Sequence, residues 1–170
     1  MATFDGNALK KIMDDQRLTL AVAESLTTGN IQAMIGATSG ASTFYRGGLT
    51  AYNIDQKVEH LNVERDHAAA VNCVSQRVAI EMAKGVSLSF NCDIGIGTTG
   101  YAESSTEQNV SAPHAYFAIW RRNGETSQGA VVAQDFVEGK DLSRVEMQHH
   151  VAEVALNALL QYLEEFYKIR

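Results

Sequence analysis

A chain of 170 residues, 45% of them hydrophobic and 20% charged, is long enough for one core that takes roughly 70% of the unfolded chain's surface out of water. Its net charge of −6 and isoelectric point near 5.3 argue against a nucleic-acid binder, which presents a basic patch or stripe to the phosphate backbone. Neither end carries a basic segment followed by a long apolar run, so no signal peptide or membrane span is expected, and the reading is a cytoplasmic protein.

The first seventeen residues predict an amphipathic helix, with Leu9, Ile12 and Met13 on one face and Asp5 as its cap. Leu18 to Ala23 is a compact apolar run that breaks into Glu24-Ser25-Leu26-Thr27-Thr28-Gly29, after which Ile31, Met34 and Ile35 recur at helical spacing. That is a strand, a hydroxyl-rich turn and a helix start, and a turn of this kind offers backbone N–H groups to an anion. Gly47 to Asn53 is again strand-like, and Ile54 to Lys57 opens a short helix that Val58 to Leu61 continues. Asn62 to Asn72 reads as a polar connection. Ser75 caps a helix whose stripe is Val78, Ala79, Met82, Ala83 and Val86.

Asp93 to Gly100 predicts a second short strand running into a glycine-threonine turn, whose hydroxyls suit a ligand oxygen or simply the turn itself. Tyr101 to Ser111 is polar and irregular. Pro113 to Trp120 and Ala130 to Phe136 form strands joined through Asn123-Gly124, a hairpin signal. Asp141 or Ser143 caps a long last helix. Strands alternating with helices, with one late hairpin, imply a single domain over 1–170, a three-layer α/β/α sandwich with a mixed, mainly parallel sheet. Cys73 and Cys92 lack a CxxC partner and read as reduced thiols. His149 and His150 are neighbours on a helix and face different ways, so no metal site is expected.

For chemistry, the chain offers Ser25, Tyr52 and Lys57 near the carboxyl ends of two strands, the edge where open α/β sheets bind ligands. A serine becomes a nucleophile when a base takes its proton, and a lysine of lowered pKa can be that base. The same residues also fit a helix cap, a half-buried aromatic and a solvated charge, and spacing alone does not choose.

Ala23-Glu24-Ser25-Leu26-Thr27-Thr28-Gly29, Gly40-Ala41-Ser42 with Phe44 and Gly47-Gly48, Tyr52-Asn53 followed by Lys57, Val74-Ser75, and Thr99-Gly100 together resemble the CinA C-terminal domain family, the nicotinamide-nucleotide amidases. The resemblance implies hydrolysis of the carboxamide of nicotinamide mononucleotide, a small nucleotide substrate, with no cofactor, in a homo-oligomer. It implies Ser25 as nucleophile, Lys57 as general base and Tyr52 as the residue that hydrogen-bonds and orients both. Thr27, Thr28, Gly29, Ser42, Gly48, Asn53, Thr99, Gly100, Lys140 and Arg144 are the candidate substrate-binding positions, the N–H groups around the first three being candidates for oxyanion or phosphate binding from the turn itself. Two departures stand out. Thr28 replaces a glycine of the family turn, and Gly100-Tyr101-Ala102-Glu103-Ser104-Ser105 replaces a glycine-proline loop, adding the charge of Glu103. The competing reading is a paralogue that keeps the scaffold as a ligand-binding or interaction protein.

Overall fold

The computed structural model describes residues 3–168. Helix α1 spans Gly6–Asp15, and the Asp5 carboxylate accepts the N–H groups of Asn7 and Ala8 at its start, both at 3.0 Å. Strand β1, Leu20–Glu24, is buried along its whole length, which a strand can be only if neighbours flank both edges and layers cover both faces. Helix α2, Asn30–Gly36, and a single 3-10 turn, Ala41–Thr43, lead to β2, Tyr45–Thr50. Helices α3, Ile54–Leu61, α4, Arg65–Ala70, and α5, Gln76–Ser89, precede β3, Ile94–Tyr101. A hairpin of β4, His114–Arg122, and β5, Gly129–Glu138, then leads to α6, Arg144–Tyr167.

The sheet order is β2-β1-β3-β4-β5. β1 pairs in parallel with β2 and β3, and the β3–β4 and β4–β5 pairs are antiparallel, so β4 alone runs against the other four strands. The three-layer mixed sandwich expected from the sequence is what forms. β3 shows why its two faces differ. Ile94 and Ile96 point into the core shared with α1, α2 and α6, whereas Gly95 and Gly97 let α5 lie almost on the backbone. A Cβ at Gly97 would sit 2.3 Å from the Ala79 carbonyl oxygen and 2.6 Å from the Ala83 nitrogen.

Two sequence expectations change. Thr98, Thr99 and Gly100 do not turn. They continue β3, because pairing with β4 extends to Tyr101 opposite His114. The polar connection after Asn62 contains α4, started by the Glu64 carboxylate accepting the N–H groups of Asp66 and His67, each at 2.8 Å. The charged residues hid its single fully buried position, Ala68. Ser143, rather than Asp141, caps α6 in a reciprocal box with Glu146. Among the described residues no helix is long and apolar enough to cross a membrane.

Gly97→Ala is expected to lower unfolding stability by about 2 kcal/mol or more, because backbone rather than a flexible side chain must move. Gly36→Ala, where the added methyl meets nothing within 4 Å, is expected to change it far less. Urea denaturation of the two variants beside the wild type checks the contrast.

Candidate active site

The site begins where β1 ends. Glu24, fully buried, turns its carboxylate back under the next helix and accepts the N–H groups of Gly29 at 2.9 Å, Ile31 at 3.2 Å and Gln32 at 3.0 Å. This places an internal anion at the positive end of α2. Ser25 is therefore the first residue of a turn pinned from below. Thr28 donates its N–H to the Ser25 carbonyl at 3.2 Å, and Thr27, buried, shares a 2.8 Å hydroxyl contact with Thr98 on β3. Thr28 and Gly29 both take positive φ, 47° and 101°. A β-branched residue pays for that conformation where glycine does not.

Across from Ser25, the link between β2 and α3 brings in Lys57. Its side chain is among the largest fully buried ones, at 1% exposure. Its ammonium donates to Ser25 Oγ at 3.0 Å, to the Ala51 carbonyl at 2.7 Å and to the Tyr52 carbonyl at 3.3 Å. These three acceptors match the three hydrogens of an ammonium. Burial disfavours the charge and lowers the lysine pKa from 10.5 to about 8, with the nearby Cys73 thiol acting weakly the other way. The same burial raises the pKa of Cys73, partly offset by Lys57.

Ser25 and Lys57 lie at the floor of a cavity of about 670 Å³. Asn53, Thr99 and Gly100 line it, as do Ala68 and Ala69 of α4 and the Tyr101 to Ser105 segment. Asn53 also caps α3, accepting the Gln56 N–H at 3.0 Å. Thr99, almost fully buried, donates its hydroxyl to the Cys73 carbonyl at 2.7 Å. Asn72 closes the wall, its amide donating to Tyr101 Oη at 2.9 Å and to Gln108 Oε1 at 3.0 Å. Asn72 and Cys73 both adopt positive φ, 48° and 61°, and neither stood out in the sequence as a site residue. A Val-Asn-Cys-Val stretch carries no chemical motif, and the signal lies in the backbone.

Other positions implied by the resemblance fall elsewhere. Tyr52 lines the cavity, but its side chain is 57% exposed. Its hydroxyl accepts from Arg144 Nη2 at 2.9 Å, so it is the Tyr52 carbonyl, not the phenol, that holds Lys57. Thr27, Thr28 and Gly29 do not line the cavity, and the Thr28 and Gly29 N–H groups expected to bind an anion already have partners within the turn. Ser42 is exposed before β2, at the opposite edge of the sheet. Gly48 is a packing position, where a Cβ would stand 2.5 Å from the Val22 side chain. Lys140 lines a neighbouring recess with Glu103, Glu138, Asp141 and Glu146. Arg144 lines both hollows.

The model of the CinA C-terminal domain family matches residues 5–163. The chain belongs to that family. A putative competence-damage inducible protein of Natranaerobius thermophilus is 41% identical over 96 residues, 56% of this chain and 24% of that protein. A CinA-like protein of a Picosynechococcus species is 32% identical over 164 residues, 94% of this chain and 38% of that protein. The chain thus spans only about a quarter to two fifths of the length of these CinA relatives. A crystal structure of a competence or damage-inducible protein from Enterobacter asburiae superposes with a TM-score of 0.81 at 22% identity, covering 93% of this chain and 95% of that one. At that identity it is the fold that the two share.

Two measurements bear on this geometry. Thr28→Gly is expected to stabilise the fold by about 1 kcal/mol, since an exposed threonine leaves a left-handed conformation to a residue that adopts it readily, and chemical denaturation reads the gain. Lys57 supplies a pH signature. Its folded pKa of about 8 lies below the ordinary 10.5, so between those values the unfolded chain binds the extra proton and stability rises with pH. Below about pH 8 both forms are protonated and the cost of burying the charge is present in full. Relative to Lys57→Met, the wild type is expected to gain up to about 1.4 kcal/mol per pH unit between pH 8 and 10.5 and nothing between pH 6 and 7. Denaturation of both proteins across pH checks it.

Proposed function

We propose that this chain is an amidohydrolase that uses Ser25 and Lys57 to hydrolyse the carboxamide of a pyridine nucleotide, with nicotinamide mononucleotide as the family-type substrate. The observation that carries the reading is the set of three acceptors around Lys57 Nζ. When the lysine loses a proton, its two remaining hydrogens stay with the Ala51 and Tyr52 carbonyls, and the lone pair faces Ser25 Oγ. The base is then aimed by the backbone rather than by another side chain, at a hydroxyl 3.0 Å away.

From that starting point the chemistry is acyl transfer. Ser25 Oγ attacks the amide carbon while its proton passes to Lys57. Lys57 returns the proton to the departing nitrogen, the C–N bond breaks, and ammonia leaves an ester on Ser25. A water molecule then gives a proton to Lys57 and attacks the ester carbon. The C–O bond to Ser25 breaks, Ser25 recovers the proton, and the carboxylic acid is released. One amide and one water become one acid and one ammonia. The cavity volume and its mix of polar and apolar walls suit a ligand of nucleotide size.

Ammonia release from nicotinamide mononucleotide by the purified chain tests the proposal. Ser25→Ala and Lys57→Ala are each expected to lower turnover by at least about a hundredfold. The wild-type rate is expected to climb with pH and level off above about pH 8, as Lys57 reaches its neutral form. Turnover that survives in Ser25→Ala overturns the mechanism. A folded wild type that releases no ammonia overturns the activity and favours the ligand-binding reading of the same cavity.

A further inference from the structure

The cavity floor carries the proposed chemistry, but its rim raises a separate question: what meets the far end of the substrate. Among the described residues lining the cavity, the cationic side chains are Lys57 and Arg144. Lys57 is spent on Ser25 and two carbonyls at the floor. Arg144 is spent as well. Its Nη1 donates to Glu103 Oε1 at 2.5 Å, and its Nη2 donates to Tyr52 Oη at 2.9 Å. The fork that would grip a phosphate in two-point fashion is thus closed on a carboxylate and a phenol.

The starts of α2 and α6 hold no open set of N–H groups either. The Gly29, Ile31 and Gln32 N–H groups at the start of α2 hold the Glu24 carboxylate. At α6 the Ser143 and Glu146 side chains satisfy each other's backbone N–H groups. Lys140 stands in the adjoining recess, among Glu103, Glu138, Asp141 and Glu146. Around that recess the acidic side chains outnumber Lys140 and Arg144, so its field opposes a dianion.

We propose that Glu103 is a specificity-determining residue, which holds Arg144 in a closed pair and so makes the site treat carboxamides with and without a phosphate nearly alike. The inference rests on the amidase reading for its substrate class, although the competition for Arg144 is a matter of binding alone. A phosphate that reaches Arg144 must displace Glu103 and then remain beside its charge. The pair is solvent-exposed, with 43% and 61% of the two side chains accessible, so the effect is moderate rather than absolute.

The experiment compares kcat/KM for nicotinamide mononucleotide and for its dephosphorylated nucleoside, nicotinamide riboside, in the wild type, Glu103→Gln and Glu103→Gln/Arg144→Ala. The wild-type ratio of the two is expected to lie within about fivefold, and Glu103→Gln to raise it in favour of the phosphorylated compound by about fivefold or more. The rise is expected in KM and to vanish in the double variant, which a merely structural role for Glu103 would not produce. A ratio unmoved by Glu103→Gln, or moved equally without Arg144, overturns the proposal. Calorimetric binding of the same two compounds to Ser25→Ala, with and without Glu103→Gln, separates this from the hydrolase reading. Absence of ammonia with a binding ratio that shifts as stated removes only the hydrolase. A binding ratio that does not shift, or no binding of either compound by folded Ser25→Ala/Glu103→Gln, removes the role of Glu103.

Discussion

The buried carboxylate of Glu24 is the constraint from which the site follows. It ends a strand with no exposed residue, satisfies three N–H groups at the start of α2 and thereby fixes the turn that begins with Ser25. Buried polar groups are costly unless fully partnered, and here the partners are the orphan donors that a helix N-terminus must place somewhere. One interaction thus answers two needs of the fold at once. It also makes the start of α2 a structural joint whose Gly29, Ile31 and Gln32 N–H groups are already taken.

Lys57 is the opposite kind of group, one whose burial stabilises nothing by itself. Water would solvate its charge better than a serine and two carbonyls do, and the lowered pKa is the measure of that deficit. The surrounding packing bears the cost. Ala51 and Leu61 are buried on either side of it in sequence, and Gly85 lets α5 come against the end of α3, where a Cβ would meet the Leu61 carbonyl at 2.1 Å. The close approach of α5 to the end of α3 holds in place the helix that carries the lysine.

Much of the fold was legible because it was written locally. Asp5, Ser75 and Ser143 cap helices where hydroxyl and carboxylate caps were expected, and Asn123-Gly124 sits in the hairpin turn, with Gly124 at φ 60°. What failed was also local. Thr98-Thr99-Gly100 has turn-like composition, yet a full antiparallel partner overrides it. The meeting of Ser25 and Lys57 could be suspected from motifs but not established, since it depends on how the β2–α3 link folds over the end of β1. The outward phenol of Tyr52 was hidden for a related reason. Its partner, Arg144, is 92 positions away in sequence, and no local pattern reports such a contact.

The single reversed strand sends its two flanking connections to opposite ends of the sheet. Because β4 runs against its neighbours, the 123–128 turn lies at the sheet edge opposite the cavity, while the 102–113 connection leaves β3 at the cavity itself. No residue of the first lines the cavity. Any alteration in the second rewrites a wall of the binding chamber while leaving the pinned serine and its lysine untouched. One segment of loop thus shapes the cavity wall independently of the Ser25–Lys57 contact, and the sheet's strand order is what keeps the other turn away from both.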